Sequence, residues 1–120
     1  FEPLGTVLVI SPWNYPFYQA IVPITCCFVT GNACVYKPSE VTPLQGLVES
    51  VLKEAGFQDH WAQVVYGDGA VAQELINARP QKIFFTGSVG TGRKIMAQAA
   101  QHLIPVELEL GGKDPMIVFK

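Results

Sequence analysis

Lys82-Ile83-Phe84-Phe85-Thr86-Gly87-Ser88-Val89-Gly90-Thr91-Gly92 passes from an apolar, aromatic run into a glycine-rich turn and on into a helical pattern. A short apolar run bounded by glycine reads as a buried strand. The residues beyond it place Ile95, Met96, Ala99, Ala100 and Leu103 on one expected helix face, with Arg93, Lys94, Gln98 and Gln101 largely opposite. A strand that feeds one helix is half of a βαβ crossover, which joins parallel strands. The same alternation runs outward in both directions. Strands are predicted over 5–10, 33–36, 62–66, 82–85 and 105–110, and helices over 16–29, 43–55, 70–78 and 91–102. A further short strand is expected over 116–119.

Strands alternating with single helices predict an α/β fold: a doubly wound, Rossmann-like, mostly parallel five-stranded sheet with helices on both faces. In such sheets ligands bind outside the carboxyl ends of the strands, at the point where the strand order reverses. The crevice is therefore expected beside the first strand, with contacts from the ends of strands one, two and four.

The chain has 120 residues, 49% hydrophobic and 15% charged, which bounds it to one globular domain or a piece of one. A chain of this length hides roughly two-thirds of its unfolded surface, so no metal or disulfide staple is needed. Positive mean hydropathy at low charge suggests apolar faces meant for partner domains or subunits. Eight basic against ten acidic residues, with no basic run, exclude an electrostatic footprint for nucleic acid. The most apolar stretch, 17–29, is interrupted by Gln19, Pro23 and Thr25 and is expected as a buried helix rather than a membrane segment or a leader.

Cys26, Cys27 and Cys34 have no metal spacing, and an odd count argues against a disulfide framework. They favour an intracellular, reducing, cytoplasmic setting and are expected as small buried thiols rather than nucleophiles. His60 and His102 lack ligand-spaced partners, so surface or capping roles are expected and no metal site. The opening Phe1-Glu2-Pro3, without an initiator Met, suggests an excised or processed segment.

Four segments could carry chemistry. Ser11-Pro12-Trp13-Asn14-Tyr15-Pro16 follows the first strand, and its prolines stiffen a loop in which the Asn14 amide either donates to a developing oxyanion or merely makes a turn. Tyr36-Lys37-Pro38-Ser39-Glu40 ends the second strand. Lys37 and Glu40 could grip a ribose, with Glu40 disfavouring a 2′-phosphate. Alternatively Ser39 or Thr42 caps the following helix, leaving Lys37 solvated. The turn Thr86-Gly87-Ser88 opens a helix whose free N–H groups and Ser88 hydroxyl suit a phosphate, although plain strand-to-helix turns use the same residues. Gly67-Asp68-Gly69-Ala70-Val71-Ala72 matches a formal GxGxxA pattern but follows the third strand and lacks an acid about twenty positions later, so it is discounted as a dinucleotide motif.

In Leu108-Glu109-Leu110-Gly111-Gly112-Lys113 a carboxylate ends an apolar strand and meets two glycines. Flanking leucines suit Glu109 to general-base chemistry, whereas the structural alternative pairs it with Lys113. Glu107 alternates with it on the same face, either as a neighbouring like charge or as a solvated one.

Taken together, Pro12-Trp13-Asn14-Tyr15-Pro16, Lys37-Pro38-Ser39-Glu40, Phe85-Thr86-Gly87-Ser88 and Glu109-Leu110-Gly111-Gly112-Lys113 closely resemble the NAD(P)-dependent aldehyde dehydrogenase superfamily. The resemblance covers essentially all of 1–120 and implies an NAD(P)-binding domain segment of a longer chain. It implies oxidation of an aldehyde to a carboxylic acid through a cysteine thioester. That cysteine is expected beyond Lys120, so the segment alone is expected to be silent.

The likeness implies Asn14 as the oxyanion amide and Glu109 as the base that activates water. It implies cofactor contacts from Ser11, Pro12, Trp13, Lys37, Ser39, Glu40, Gly67, Phe85, Thr86, Gly87, Ser88, Leu110 and Gly111. NAD is the expected cofactor, with NADP the alternative. The partners implied are an aldehyde substrate and further copies of the full-length chain. Rival readings are a non-catalytic nucleotide-binding module and a purely structural interaction domain.

Overall fold

β1 (Thr6–Ile10) is the centre of the sheet, hydrogen-bonded to β2 (Ala33–Lys37) on one side and β4 (Lys82–Gly87) on the other. The computed structural model describes residues 2–120. β3 (Ala62–Val64) lies outside β2 and β5 (Val106–Leu110) outside β4, giving the order β3-β2-β1-β4-β5 with every pairing parallel. The sheet is thus wholly rather than mostly parallel. Four helices make the crossovers: α1 (Pro16–Val29), α2 (Leu47–Glu54), α3 (Gly69–Asn77) and α4 (Val89–Ala100).

A parallel strand covered on both faces reads as a continuous apolar run, and β1 does so because its side chains alternate between two cores. Val7 and Val9 pack with Ala20 and Ile24 of α1 and Val48 and Leu52 of α2. Leu8 and Ile10 pack with Ile76 of α3 and Ile95 and Ala99 of α4. The helices therefore sit in pairs on opposite faces, as the doubly wound expectation requires.

Several expectations need correcting. The helix predicted from 43 begins at Leu47, because Leu44 (φ 48) and Gly46 (φ 80) take left-handed conformations that interrupt a helix. α1 is not buried all round: Ala20, Ile24 and Cys27 are buried, whereas Phe17, Tyr18, Val22, Phe28 and Val29 face outward, since only one side of the helix meets the sheet. Cys26 lies on that outer side and is exposed, while Cys27 and Cys34 are core thiols as expected. The Cys34 thiol is pushed above the ordinary range by its contact with Cys27 and by burial.

On α4 the buried positions are Gly92, Ile95 and Ala99, leaving Met96 and Ala100 outside the contact stripe. Leu103, at φ 55 in the turn that ends the helix, is 89% exposed. β3 is shorter than predicted and β4 longer, running to Gly87. The strand expected over 116–119 does not form. Met116, Ile117, Val118 and Phe119 are exposed and outside the sheet, and an apolar run becomes a strand only where a neighbour satisfies its backbone.

Pro23 inside α1 has no N–H for the carbonyl of Gln19, four residues earlier. Ser11 Oγ, buried at the end of β1, donates to that carbonyl at 3.5 Å. Ser11→Ala should lower stability by about 0.5–1 kcal/mol, the net worth of a modest hydrogen bond. Urea unfolding checks this, and in a Pro23→Ala background, where the helix supplies its own donor, the loss should largely vanish.

Candidate functional site

β1 and β4 are neighbours, yet the chains leaving them part. The chain after Ile10 enters α1 on one face and the chain after Gly87 enters α4 on the other. The divergence opens the crevice at the carboxyl edge. Two cavities lie there, of about 710 Å³ and 660 Å³, and they share a wall of Pro12, Trp13, Thr86, Gly87 and Ser88. The first also holds Asn14, Glu109, Leu110 and Gly111. The second holds Ser11, Lys37, Ser39, Glu40 and Phe85. The four sequence-predicted loop tips thus converge on one divided groove.

Glu109 lies opposite Thr86 in the β4–β5 register and is exposed toward the first cavity. The structural alternative for it is not realised: among the described residues the salt bridges are Lys37–Glu40 and Lys82–Glu107, so Lys113 does not pair with Glu109. Glu107 is neither simply solvated nor a bare like charge beside Glu109, because the Lys82 ammonium holds it. The uncommitted carboxylate is therefore the one at the strand end. Asn14 enters the same cavity from the loop before α1, and its side chain makes no hydrogen bond among the described residues. Tyr15 (φ 52) and Pro16 at the first helical turn set the angle at which that loop enters the helix.

Lys37 is not solvated. It is 3% exposed, its Nζ donates to Pro38 O at 2.9 Å, and Glu40 Oε2 is 3.9 Å away. Burial draws its pKa below the ordinary lysine value, and the charges of Glu40 and Asp68 oppose that drop. Neither Ser39 nor Thr42 caps α2. Ser39 Oγ accepts from Val41 N–H at 3.2 Å, Thr42 Oγ1 donates to Trp13 O at 2.6 Å, and α2 starts after Gly46 without a side-chain cap.

Ser88 is the N-cap of α4, its Oγ accepting from Thr91 N–H at 3.2 Å. The cap leaves Val89 and Gly90 N–H without an acceptor among the described residues, at the positive end of a helix that begins in the shared wall. A Cβ added to Gly87 would lie 2.5 Å from Phe85 Cζ, so the wall admits no larger residue there without displacing that ring.

Gly67 lines neither cavity. Its φ of +152 and the 2.3 Å between an added Cβ and Val71 Cγ2 explain the glycine as a structural turn into α3, whose N-cap is Asp68. Gly69 reaches the second cavity instead.

Sequence reasoning also missed Thr91, Lys94 and Gln98, which line the second cavity along α4. Their i, i+3, i+7 spacing is a polar stripe that could have been read as a groove-facing edge. Lys82 and Tyr66 carry no local signal and Thr42 signals only a helix cap, because each acts on a residue distant in sequence. Tyr66 OH donates to the Glu49 carboxylate at 2.7 Å and accepts from Gly46 N–H at 3.0 Å, bracing the loop that ends at α2.

The aldehyde dehydrogenase family model matches residues 1–120. The chain belongs to the aldehyde dehydrogenase family. It is 49% identical over 118 residues to a 4,4′-diapolycopene aldehyde oxidase of Methylomonas, covering 98% of this chain and 22% of that protein. To a betaine aldehyde dehydrogenase of Brucella anthropi it is 48% identical over 120 residues, covering 98% of this chain and 25% of the relative.

Solved aldehyde dehydrogenases share the fold. A betaine aldehyde dehydrogenase of Staphylococcus aureus in complex with NAD+ superposes with a TM-score of 0.86 at 38% identity, covering 92% of this chain and 23% of that one. An aldehyde dehydrogenase of Bartonella henselae gives 0.87 at 36% identity, covering 93% and 24%. The chain thus spans about a quarter of the length of these family members.

Proposed function

We propose that residues 1–120 are the NAD(P)-binding segment of a longer aldehyde dehydrogenase that oxidises an aldehyde to a carboxylic acid, and that the segment alone does not turn over. One observation carries this reading: a single groove joins an uncommitted amide and carboxylate, Asn14 and Glu109, to a helix start and the polar corner of Lys37, Ser39 and Glu40 across the Gly87 wall. The chemistry proceeds through a thioester on a cysteine outside this chain.

The residues present fit a dinucleotide. The unpartnered Val89 and Gly90 N–H groups and Ser88 would meet the pyrophosphate beside the Gly87 wall, and Lys37, Ser39 and Glu40 would hold the adenosine ribose. Ser11, Pro12, Trp13, Phe85 and Thr86 would line its path, with Leu110 and Gly111 bounding the nicotinamide side. When bound there, NAD supplies the hydride acceptor. Glu40 beside the ribose position favours NAD over NADP, because a carboxylate repels a 2′-phosphate.

Asn14 donates its amide N–H to the oxygen that gains charge as the aldehyde is attacked. Glu109 takes a proton from the water that cleaves the thioester. The exposed Phe17 and Val29 of α1 suit a contact with further protein, in keeping with a homo-oligomer of the complete chain. Among the described residues no helix is long and apolar enough to cross a membrane, and free thiols favour a reducing, cytoplasmic setting.

Calorimetric titration of the complete protein with NAD and NADP tests the cofactor reading. NAD should bind more tightly. Gly87→Val, whose Cβ would push the Phe85 ring out of its place in the cavity lining, should weaken NAD at least about tenfold, a loss of some 1.4 kcal/mol. Equal binding by wild type and Gly87→Val would place the dinucleotide elsewhere.

A further inference from the structure

We propose that Thr42 is a positioning residue for Asn14, acting through the carbonyl of Trp13; the inference rests on the aldehyde oxidation proposed above and adds a residue to its machinery. Thr42 lines neither cavity. Its Oγ1 nevertheless donates to Trp13 O at 2.6 Å across 29 positions of sequence. Among the described residues this is the only hydrogen bond made by any atom of Trp13 or Asn14.

The two residues need such a tie. Trp13 is 61% exposed and Asn14 is exposed as well, so core packing does not hold them. Tyr15, next in the chain, is at φ 52, a conformation an L-residue keeps only when its surroundings enforce it. The Trp13 carbonyl and the Asn14 N–H belong to one planar peptide unit. Fixing the carbonyl oxygen therefore holds the plane from which the Asn14 side chain departs, and narrows the directions its amide can take.

The loop that carries Thr42 is itself anchored, which makes it a strut rather than a passenger. Lys37 Nζ holds Pro38 O at 2.9 Å and Ser39 Oγ holds Val41 N–H at 3.2 Å. At the far end Tyr66 OH holds Gly46 N–H at 3.0 Å. The strut runs from the Lys37 corner of one cavity to the Asn14 loop at the other, and Thr42 is its point of contact with that loop.

The test uses the complete protein and three substitutions: Thr42→Val, close in shape without the hydroxyl; Thr42→Ala, a second hydroxyl deletion; and Thr42→Ser, which keeps the hydroxyl. For NAD-dependent aldehyde oxidation, Thr42→Val and Thr42→Ala should lower kcat about three- to tenfold, the range one hydrogen bond commands. KM for NAD should stay within about twofold, and Thr42→Ser should recover most of the wild-type kcat. In an Asn14→Ala background Thr42→Val should cost nothing further, since its effect is routed through that amide.

The second readout is fluorine NMR of protein labelled with fluorotryptophan, the Trp13 signal being assigned by its loss in Trp13→Phe. That signal should move or broaden in Thr42→Val and return in Thr42→Ser. An unchanged Trp13 signal in Thr42→Val, or an undiminished kcat loss in the Asn14→Ala background, overturns the proposal. A wild type that oxidises no aldehyde overturns the functional reading instead, and the fluorine signal then decides alone whether the strut exists.

Discussion

Glu109→Gln in the complete protein is expected to slow thioester hydrolysis by about 10²–10⁴-fold while leaving acylation within a few-fold of wild type, the span a positioned general base supplies. The charge distribution on β5 is what singles out this residue. Glu107 and Glu109 share a face, but Lys82 holds the first and no partner among the described residues holds the second. A general base must have a lone pair directed at water rather than spent on an ammonium.

The register adds position: Glu109 is opposite Thr86, in the cavity that Asn14 enters. Glutamine keeps the shape and a hydrogen-bonding oxygen but cannot take the proton. Rapid mixing should then show a burst of reduced cofactor followed by a slow steady state, with acyl-enzyme accumulating. Glu107→Gln should lose only a surface ion pair, worth at most about 1 kcal/mol of stability, and should keep the wild-type hydrolysis rate. A Glu109→Gln variant that hydrolyses its thioester at the normal rate would remove Glu109 from this role.

The strands and the loops at their carboxyl ends were legible for a common reason. A parallel strand buried on both faces must be apolar throughout, so Leu8, Val9 and Ile83 announce themselves, and chemistry in such a sheet must come from the polar residues just beyond. Asn14, Lys37, Ser88 and Glu109 stand at those places, and the groove unites them.

What stayed hidden depends on neighbours in space. Composition cannot say which side of α1 meets the sheet, so Phe17 and Tyr18 read as core although they are exposed. The run 116–119 has the pattern of a strand and no strand to pair with. Lys37 looks like any surface lysine until β2 and its loop enclose it. Gly67 looked like a possible dinucleotide contact because a glycine that prevents a clash with Val71 cannot be told, in one dimension, from one that admits a phosphate. The contacts Thr42–Trp13 and Tyr66–Glu49 exist only once distant loops fold together.

Asn14→Ala is expected to slow acylation and the hydride transfer that follows by about 10²–10³-fold, the cost of losing one preorganised oxyanion donor, while NAD affinity stays within about twofold. The contrast follows from the division of the groove. Asn14 lines only the first cavity, whereas the helix start at Ser88 borders both cavities and the Lys37 corner lies in the second. In the proposed reading, losing the Asn14 amide removes a contact made as charge develops on the reacting oxygen, and spares those proposed to hold the ground-state dinucleotide.

In the structure the amide has no intramolecular partner among the described residues, so alanine strands no buried group and should leave the unfolding midpoint nearly unchanged. Asn14→Asp discriminates further. It keeps the shape but replaces the N–H donor with acceptors and a charge that repels the oxyanion, so it should be at least as slow as Asn14→Ala. Single-turnover hydride transfer measured alongside NAD calorimetry separates the outcomes. Lost NAD affinity in Asn14→Ala would mean that the side chain shapes the cofactor pocket, and the oxyanion role would then pass to another donor at the same cavity.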